Sequence, residues 1–272
     1  MANYSLVDFR GSTKKLAAAF PLSSYPKLHD SSVGRIHVLV VVKSLEVELA
    51  EPTLKRWVEL NEVLDAHKKM KLVDGVSSTA YSALSWLAIQ PVFGKYTVQS
   101  IFPRREIESE DMNALYACMK LFTKALGGTI ESNESKLLFF IAPILIHVSC
   151  LVENVQILVE ENVVGKRVHA NGRFEFVLRC GAKRICIVEA KKDDMDQGMA
   201  HNLVGCEALA DVEQLDTVYG IVTNYKEWIF FKRENEQILR GHTTIRLLHT
   251  ELPTLESLQD IAETIHAMLV NN

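Results

Sequence analysis

Two stretches carry residue types that can do chemistry, GRFEFVL (172–178) and ICIVEAKKDD (185–194). In a strand, alternate side chains share a face. Over the second stretch this puts Ile185, Ile187, Glu189 and Lys191 on one side and Cys186, Val188 and Ala190 on the other. Ala190 is small and leaves packing room behind the charged pair, which emerges where the apolar run stops. In the first stretch Glu175 interrupts an apolar strand, with Arg173, Glu175 and Val177 on one face and Phe174, Phe176 and Leu178 on the other. A carboxylate there is costly to bury unless it is paired or binds a metal. The short link GAKR (181–184) makes the two strands antiparallel neighbours in a hairpin. Two carboxylates brought together repel, and a hard divalent cation with oxygen ligands relieves that repulsion. Lys191 would then orient or activate a water, or stabilise negative charge developing on a phosphate. The plainer reading is ion-pair decoration of a strand end, because Glu-x-Lys is common there.

Positioning such groups requires a sheet with helices around it. RIHVLVVVK (35–43) is β-branched and reads as a strand. The 51–71 stretch shows helical periodicity through Leu54, Trp57, Val58, Leu60, Val63 and Leu64, with Pro52 suited to a first turn. SSTAYSALSWLAIQ (77–90) reads as a further helix, and 109–126 as another, opening on Ser109-Glu110-Asp111. Gly127-Gly128 then breaks the chain. A helix is expected from Asn133-Glu134 through the apolar 137–152 stretch, with strands at 155–165, 172–180, 184–190, 217–223 and 227–233. Helices are expected at 193–214 and 255–269. The fold class is α/β, a mixed sheet flanked by helices. The expected organisation is an irregular segment at 1–33, an N-terminal α/β region at 34–126 and a domain carrying the charged strand end at 127–272.

Composition narrows the function classes. With 272 residues, 48% apolar and 24% charged, the chain can bury a sizeable core. A net charge of −4 means that any nucleic-acid contact needs a local basic patch rather than a global field. The five cysteines form no CxxC pair or zinc-ligand cluster, and Cys150, Cys180 and Cys186 lie in apolar runs as reduced, buried thiols do. The N-terminal residues have no apolar run behind a positive start, so no secretory signal is read there. LLFFIAPILIHVSCLV (137–152) is too short to span a bilayer and contains Pro143 and His147, so no membrane partner is expected.

A helix, a hairpin with an acidic residue in its first strand and E-x-K in its second, then another helix: this combination resembles the PD-(D/E)xK nuclease superfamily. The resemblance implies a restriction-endonuclease-like fold and phosphodiester hydrolysis, most readily of DNA, with Mg2+ or Mn2+ as cofactor. Carried over onto this chain, Glu175 and Glu189 would hold the metal, Lys191 would act on the water, and Gln197 in DQGMAH would support them. A glutamate on the first helix would add a ligand, for which Glu134 is the candidate and Glu153 the reserve. Lys183, Arg184, Lys192 and His201 are candidate substrate contacts, with Lys166 and Arg167 in the same basic set; a solvated charged rim and a surface histidine are the plainer alternatives. Asn224, Tyr225 and Trp228 are explained more cheaply as turn residues and a core tryptophan.

More closely, GRFEFVLRCGAKRICIVEAKKDDMDQGMAHNLVGCEALAD followed by VYGIVTNYKEWIFF resembles the nuclease-like C-terminal domains of Crinkler effectors, most strongly over 130–235. That resemblance implies a secreted effector acting inside a host cell, in its nucleus, with DNA or a host nuclear protein as partner and cell damage or death as outcome. A catalytically inactive nuclease fold that binds host protein or DNA is the alternative. Two departures stand out. No LFLAK-type header is found, and Glu175 stands where the superfamily more often has Asp, which lengthens the ligand arm by a methylene.

Overall fold

The computed structural model describes residues 4–7, 13–16, 51–66, 70–73, 76–128 and 133–271. The chain divides into two units, Met1–Glu48 and Leu49–Asn272. In the first, β1 (Tyr4–Val7) and β2 (Thr13–Leu16) pair antiparallel from Tyr4↔Leu16 to Val7↔Thr13, so part of the segment expected to be irregular is a ladder. The strand expected at 35–43 lies outside the described residues.

The second unit runs α1 (Glu51–Ala66), β3 (Met70–Val73), β4 (Val76–Ala80), α2 (Trp86–Phe93), β5 (Thr97–Gln99), α3 (Ser109–Leu126) and α4 (Glu134–Cys150). It continues with β6 (Val155–Val164), β7 (Ala170–Cys180), β8 (Lys183–Ala190), α5 (Met195–Glu213), β9 (Val218–Thr223), β10 (Glu227–Arg233), β11 (Ile238–Thr244) and α6 (Leu255–Val270). Among the described residues nine strands form one mixed sheet in the order β3-β4-β7-β8-β9-β10-β11-β5, with β6 on the free side of β7. β4 with β7, β8 with β9, and β11 with β5 pair parallel; the remaining neighbours are antiparallel. Elements from both sides of Gly127-Gly128 therefore share this sheet.

Helices cover both faces. On one, α3, α4 and α6 pack over Phe176, Leu178, Cys186, Val188, Ala190 and Ile221. On the other, α1, α2 and α5 pack over Val177, Ile187, Val222, Ile229 and Phe231. β8 is covered on both sides, which is why ICIV is continuously apolar instead of alternating with polar residues. α5 is buried from Gly198 to Asp211, wedged between the sheet and the first helices, and its small residues permit that closeness. A Cβ at Gly205 would lie 2.2 Å from the Phe174 ring. Fully buried Asn202 donates to the carbonyls of Ile187 (3.0 Å) and Ile221 (3.1 Å), pinning α5 onto the adjacent strands β8 and β9.

Three expectations change. The helix expected over 77–90 is instead β4, a single 3-10 turn (Tyr81–Ala83) and α2, because pairing with β3 and β7 overrides the local periodicity. Ile185 does not share the Glu189 face. Leu178 pairs with Cys186 but Arg179 with Arg184, so Ile185 is the extra residue of a β-bulge and packs with Cys186 and Val188. Phe174 likewise leaves the Phe176 face and joins Val177 against α5.

Candidate active site

Glu175 lies where β7 changes partners. The β8 ladder ends at Phe176↔Val188, and on the same edge the β4 ladder occupies only Ala170 and Asn171. Glu175 therefore stands in the fork between β4 and β8. Extending the β7–β8 register by one residue sets it opposite Glu189. The Ala190 N–H, freed from a β7 partner, donates to Glu175 Oε2 at 3.2 Å. Burial first, and the charge of Glu189 second, push the Glu175 carboxyl up to about 8.

Glu189 is only 3% exposed. Burial works to raise its carboxyl, but His201 and Lys191 outweigh it and hold the group below the ordinary carboxylate range. Lys191 Nζ lies 2.9 Å and His201 Nδ1 3.1 Å from Glu189 Oε1, while Oε2 is buried with no hydrogen-bond partner. Near neutral pH this coupled pair keeps a proton, on Glu175, because two facing carboxylates in a partly desolvated fork resist ionising together.

Lys191 continues the strand past Ala190, its N–H donating to the Thr223 carbonyl at 2.9 Å. Its ammonium sits 2.9 Å from Glu189 Oε1 and 3.8 Å from Glu134 Oε1. Burial opposes that charge, but Glu189, Glu175 and Glu134 together raise its affinity for the proton. Glu134 opens α4, whose N-cap Asn133 accepts from the Lys136 N–H at 2.8 Å. Glu153 lies beyond the other end of that helix, about 25 Å away along 17 residues, so the reserve candidate is placed elsewhere.

α5 starts beside the strand end, capped by Asp194, whose Oδ1 accepts from the Gln197 N–H at 2.8 Å. Gln197 is half-buried in the first turn, and His201, four residues on, lies on the same face. His201 is buried against Glu189, so the surface-histidine alternative is corrected. Gly198 went unrecognised in the sequence. A Cβ there would approach Lys191 Cγ to 2.9 Å and Val222 Cγ1 to 2.8 Å, so the missing side chain is what lets the lysine stem lie across α5. The only signal was a cluster of small residues, GMA, after the charged strand end.

The expected basic rim does not gather here. Lys183 and Arg184 stand at the opposite end of β8, about 17 Å from Glu189 at strand rise. Arg184 is committed to Glu213 (2.5 Å) and Glu161 (3.1 Å). Backbone N–H groups of Lys166 and Arg167 bond Asp211, near the far end of α5. Lys192 remains exposed beside Asp193 at the site. Tyr225 and Trp228 are buried, the indole N–H donating to the Tyr225 carbonyl at 2.7 Å, and Asn224 Oδ1 accepts from the Glu227 N–H at 2.7 Å. They build the turn, as the cheaper reading has it.

Glu175 and Glu189 offer hard oxygen donors, and the unbonded Oε2 of Glu189 is of the kind a divalent cation takes. Among the described residues no three His, Cys, Asp or Glu side chains form a group able to hold a metal. The donor set therefore fits a cation that keeps several waters, as Mg2+ does, and does not fit a closed zinc cage. No helix among the described residues is long and apolar enough to cross a membrane.

No protein-family model matches the chain. Among curated proteins it is similar to Crinkler effector protein 5 of Phytophthora infestans, at 42% identity over 252 residues spanning 88% of this chain and 71% of that protein. At that identity and coverage, the chain belongs to the Crinkler effector family.

Proposed function

We propose that this Crinkler-type effector is a metal-dependent nuclease with a restriction-endonuclease-like core, hydrolysing phosphodiesters, DNA foremost, inside a host cell. The observation that carries the reading is the fork. Glu175 and Glu189 face each other there, Lys191 lies 2.9 Å from Glu189, and one buried carboxylate oxygen is left unbonded. Glu175 and Glu189 would hold Mg2+ or Mn2+, and Glu134 approaches from α4. Bound there, the cation would supply Lewis acidity to a phosphoryl oxygen and lower the pKa of a water. Lys191 keeps its positive charge between three carboxylates, where it can orient a water and offset charge on the phosphate. Gln197 flanks the same opening from the first turn of α5. Family membership supports a secreted effector acting in the host; action in the host nucleus and host-cell damage are part of the proposal.

A second reading is a platform that retains the fold and binds host DNA or nuclear protein without cutting. Two observations favour it: Lys191 already neutralises Glu189, and the described residues offer no metal-holding group of three. Incubating the protein with plasmid DNA and Mg2+ or Mn2+, beside Glu189→Ala and Lys191→Ala, separates the readings. Nicking by wild type that both substitutions abolish supports the nuclease. Cleavage surviving both sinks the site, and a folded wild type that cuts with neither metal favours the platform.

A further inference from the structure

Glu189 is held on one side only. Lys191 Nζ and His201 Nδ1 both converge on Oε1, while Oε2 has no hydrogen-bond partner. A carboxylate in contact with an ammonium is ionised and can only accept, so His201 donates from Nδ1. That assignment leaves Nε2, which is buried and unpartnered, as a bare acceptor rather than an unmet donor. His201 itself is 8% exposed and comes from α5, which Asn202 ties rigidly to β8 and β9. The ring is thus fixed by packing before any ligand arrives.

We propose that His201 is a positioning residue for the cation site: with Lys191 it ties down Oε1 of Glu189, fixes the carboxylate rotamer and reserves Oε2 for a hard divalent cation. The role rests on the metal-binding reading above and replaces the substrate contact expected of His201 in the sequence. A hydrogen-bonded group behind a metal-ligating carboxylate orients it, and losing such a partner typically weakens metal binding about 10- to 100-fold. A histidine that merely fills core volume would not behave this way, because an apolar side chain of similar size would serve equally.

Mn2+ alone is the probe, titrated into the full chain by calorimetry and followed by electron paramagnetic resonance. His201→Leu keeps bulk and removes the N–H; His201→Asn restores an amide N–H near the Nδ1 position. The expected result is a 10- to 100-fold loss of Mn2+ affinity in the leucine variant, largely recovered in the asparagine variant. Equal affinity in wild type and a folded leucine variant overturns the positioning role while leaving the metal reading intact, as does an equal loss in both variants. No Mn2+ binding by wild type overturns the metal reading itself, and the positioning role with it. If the leucine variant fails to fold, the ring tautomer of metal-free wild type decides by nitrogen-15 correlation spectroscopy. A proton on Nδ1 supports the role and one on Nε2 overturns it.

Discussion

Two glutamates against the same helix are treated in opposite ways. Glu207, in the middle of α5, is fully buried with both oxygens engaged: Arg56 Nε at 2.5 Å, Trp57 Nε1 at 2.6 Å and Arg233 Nε at 3.2 Å. Each remaining guanidinium nitrogen also donates, to the carbonyls of Glu234, Asn235, Leu215 and Asp216 and to the Thr53 hydroxyl. Burial works to raise the Glu207 carboxyl, but Arg233 and Arg56 outweigh it and hold it below its ordinary range. Glu189, at the end of β8, has both of its basic partners on one oxygen and no basic partner on the other. A saturated network locks α1, α5 and β10 together. A half-saturated one leaves binding capacity. The difference separates a carboxylate that serves the fold from one that serves a site, although both are buried and both face cations.

The comparison breaks first at activity. Glu189→Ala is expected to lower plasmid cleavage at least about a thousandfold, as removing a member of a concerted catalytic set does. Glu207→Gln should leave the rate per folded molecule near wild type. Similar rates in the two variants would erase the distinction.

Stability should show the reverse. Glu207→Ala strands two buried guanidinium groups, so urea unfolding should report a loss of about 3–5 kcal/mol. Glu189→Ala should cost far less in the same measurement, because Lys191 keeps Glu134 beside it and Glu175 becomes free to ionise.

A third break uses pH. The Glu175 carboxyl is raised to about 8 in the fold, against an ordinary value of 4.5, so the native state holds a proton that the unfolded chain releases. Its contribution is fully present below 4.5 and is lost as pH rises through 8. Metal-free protein should therefore lose stability across that window, by about 5 kcal/mol at most. Glu175→Gln should remove that slope, and Mg2+ should flatten it in wild type. Glu189 has the opposite sign, with stability present above 4.5 and lost on acidification below it.

The smallest effect sharpens the lysine's place. Gly198→Ala pushes a Cβ against Lys191 Cγ and Val222 Cγ1, and should cost about 1–3 kcal/mol as overpacking does. Cleavage should fall further than that loss of folded protein explains, because the displaced group is Lys191. A variant matching wild type in both measurements would show that the lysine stem needs no such room.

Much of the centre of the molecule was legible in local pattern. The ICIV run, the GAKR link and the helix after Asp194 each carry their own signal, because β8, its hairpin turn and α5 are contiguous and strongly apolar or capped. The edges were not. β11 reads ILRGHTT, polar and glycine-containing, and β5 has only three residues; β11 is a strand because β10 pairs along its whole length, and β5 because it pairs with the first three residues of β11. β4 takes its place through pairing with Ala170 and Asn171, about 90 positions away, a contact no local window contains. The bulge at Ile185 likewise arises from registering two strands and not from either alone.

By itself the sequence determined which groups are present and which faces they share: Glu189 with Lys191 by strand alternation, Gln197 with His201 by helical spacing, and Glu175 within hairpin reach. Tertiary structure alone decided what those groups do to one another. It buried His201 on Glu189, laid Lys191 between Glu189 and Glu134, set Glu175 in the fork and carried Arg184 off to Glu213. Ionisation and bonding depend on distances of a few ångströms and on exclusion of water. Both are set by how distant elements pack, which spacing along the chain does not encode.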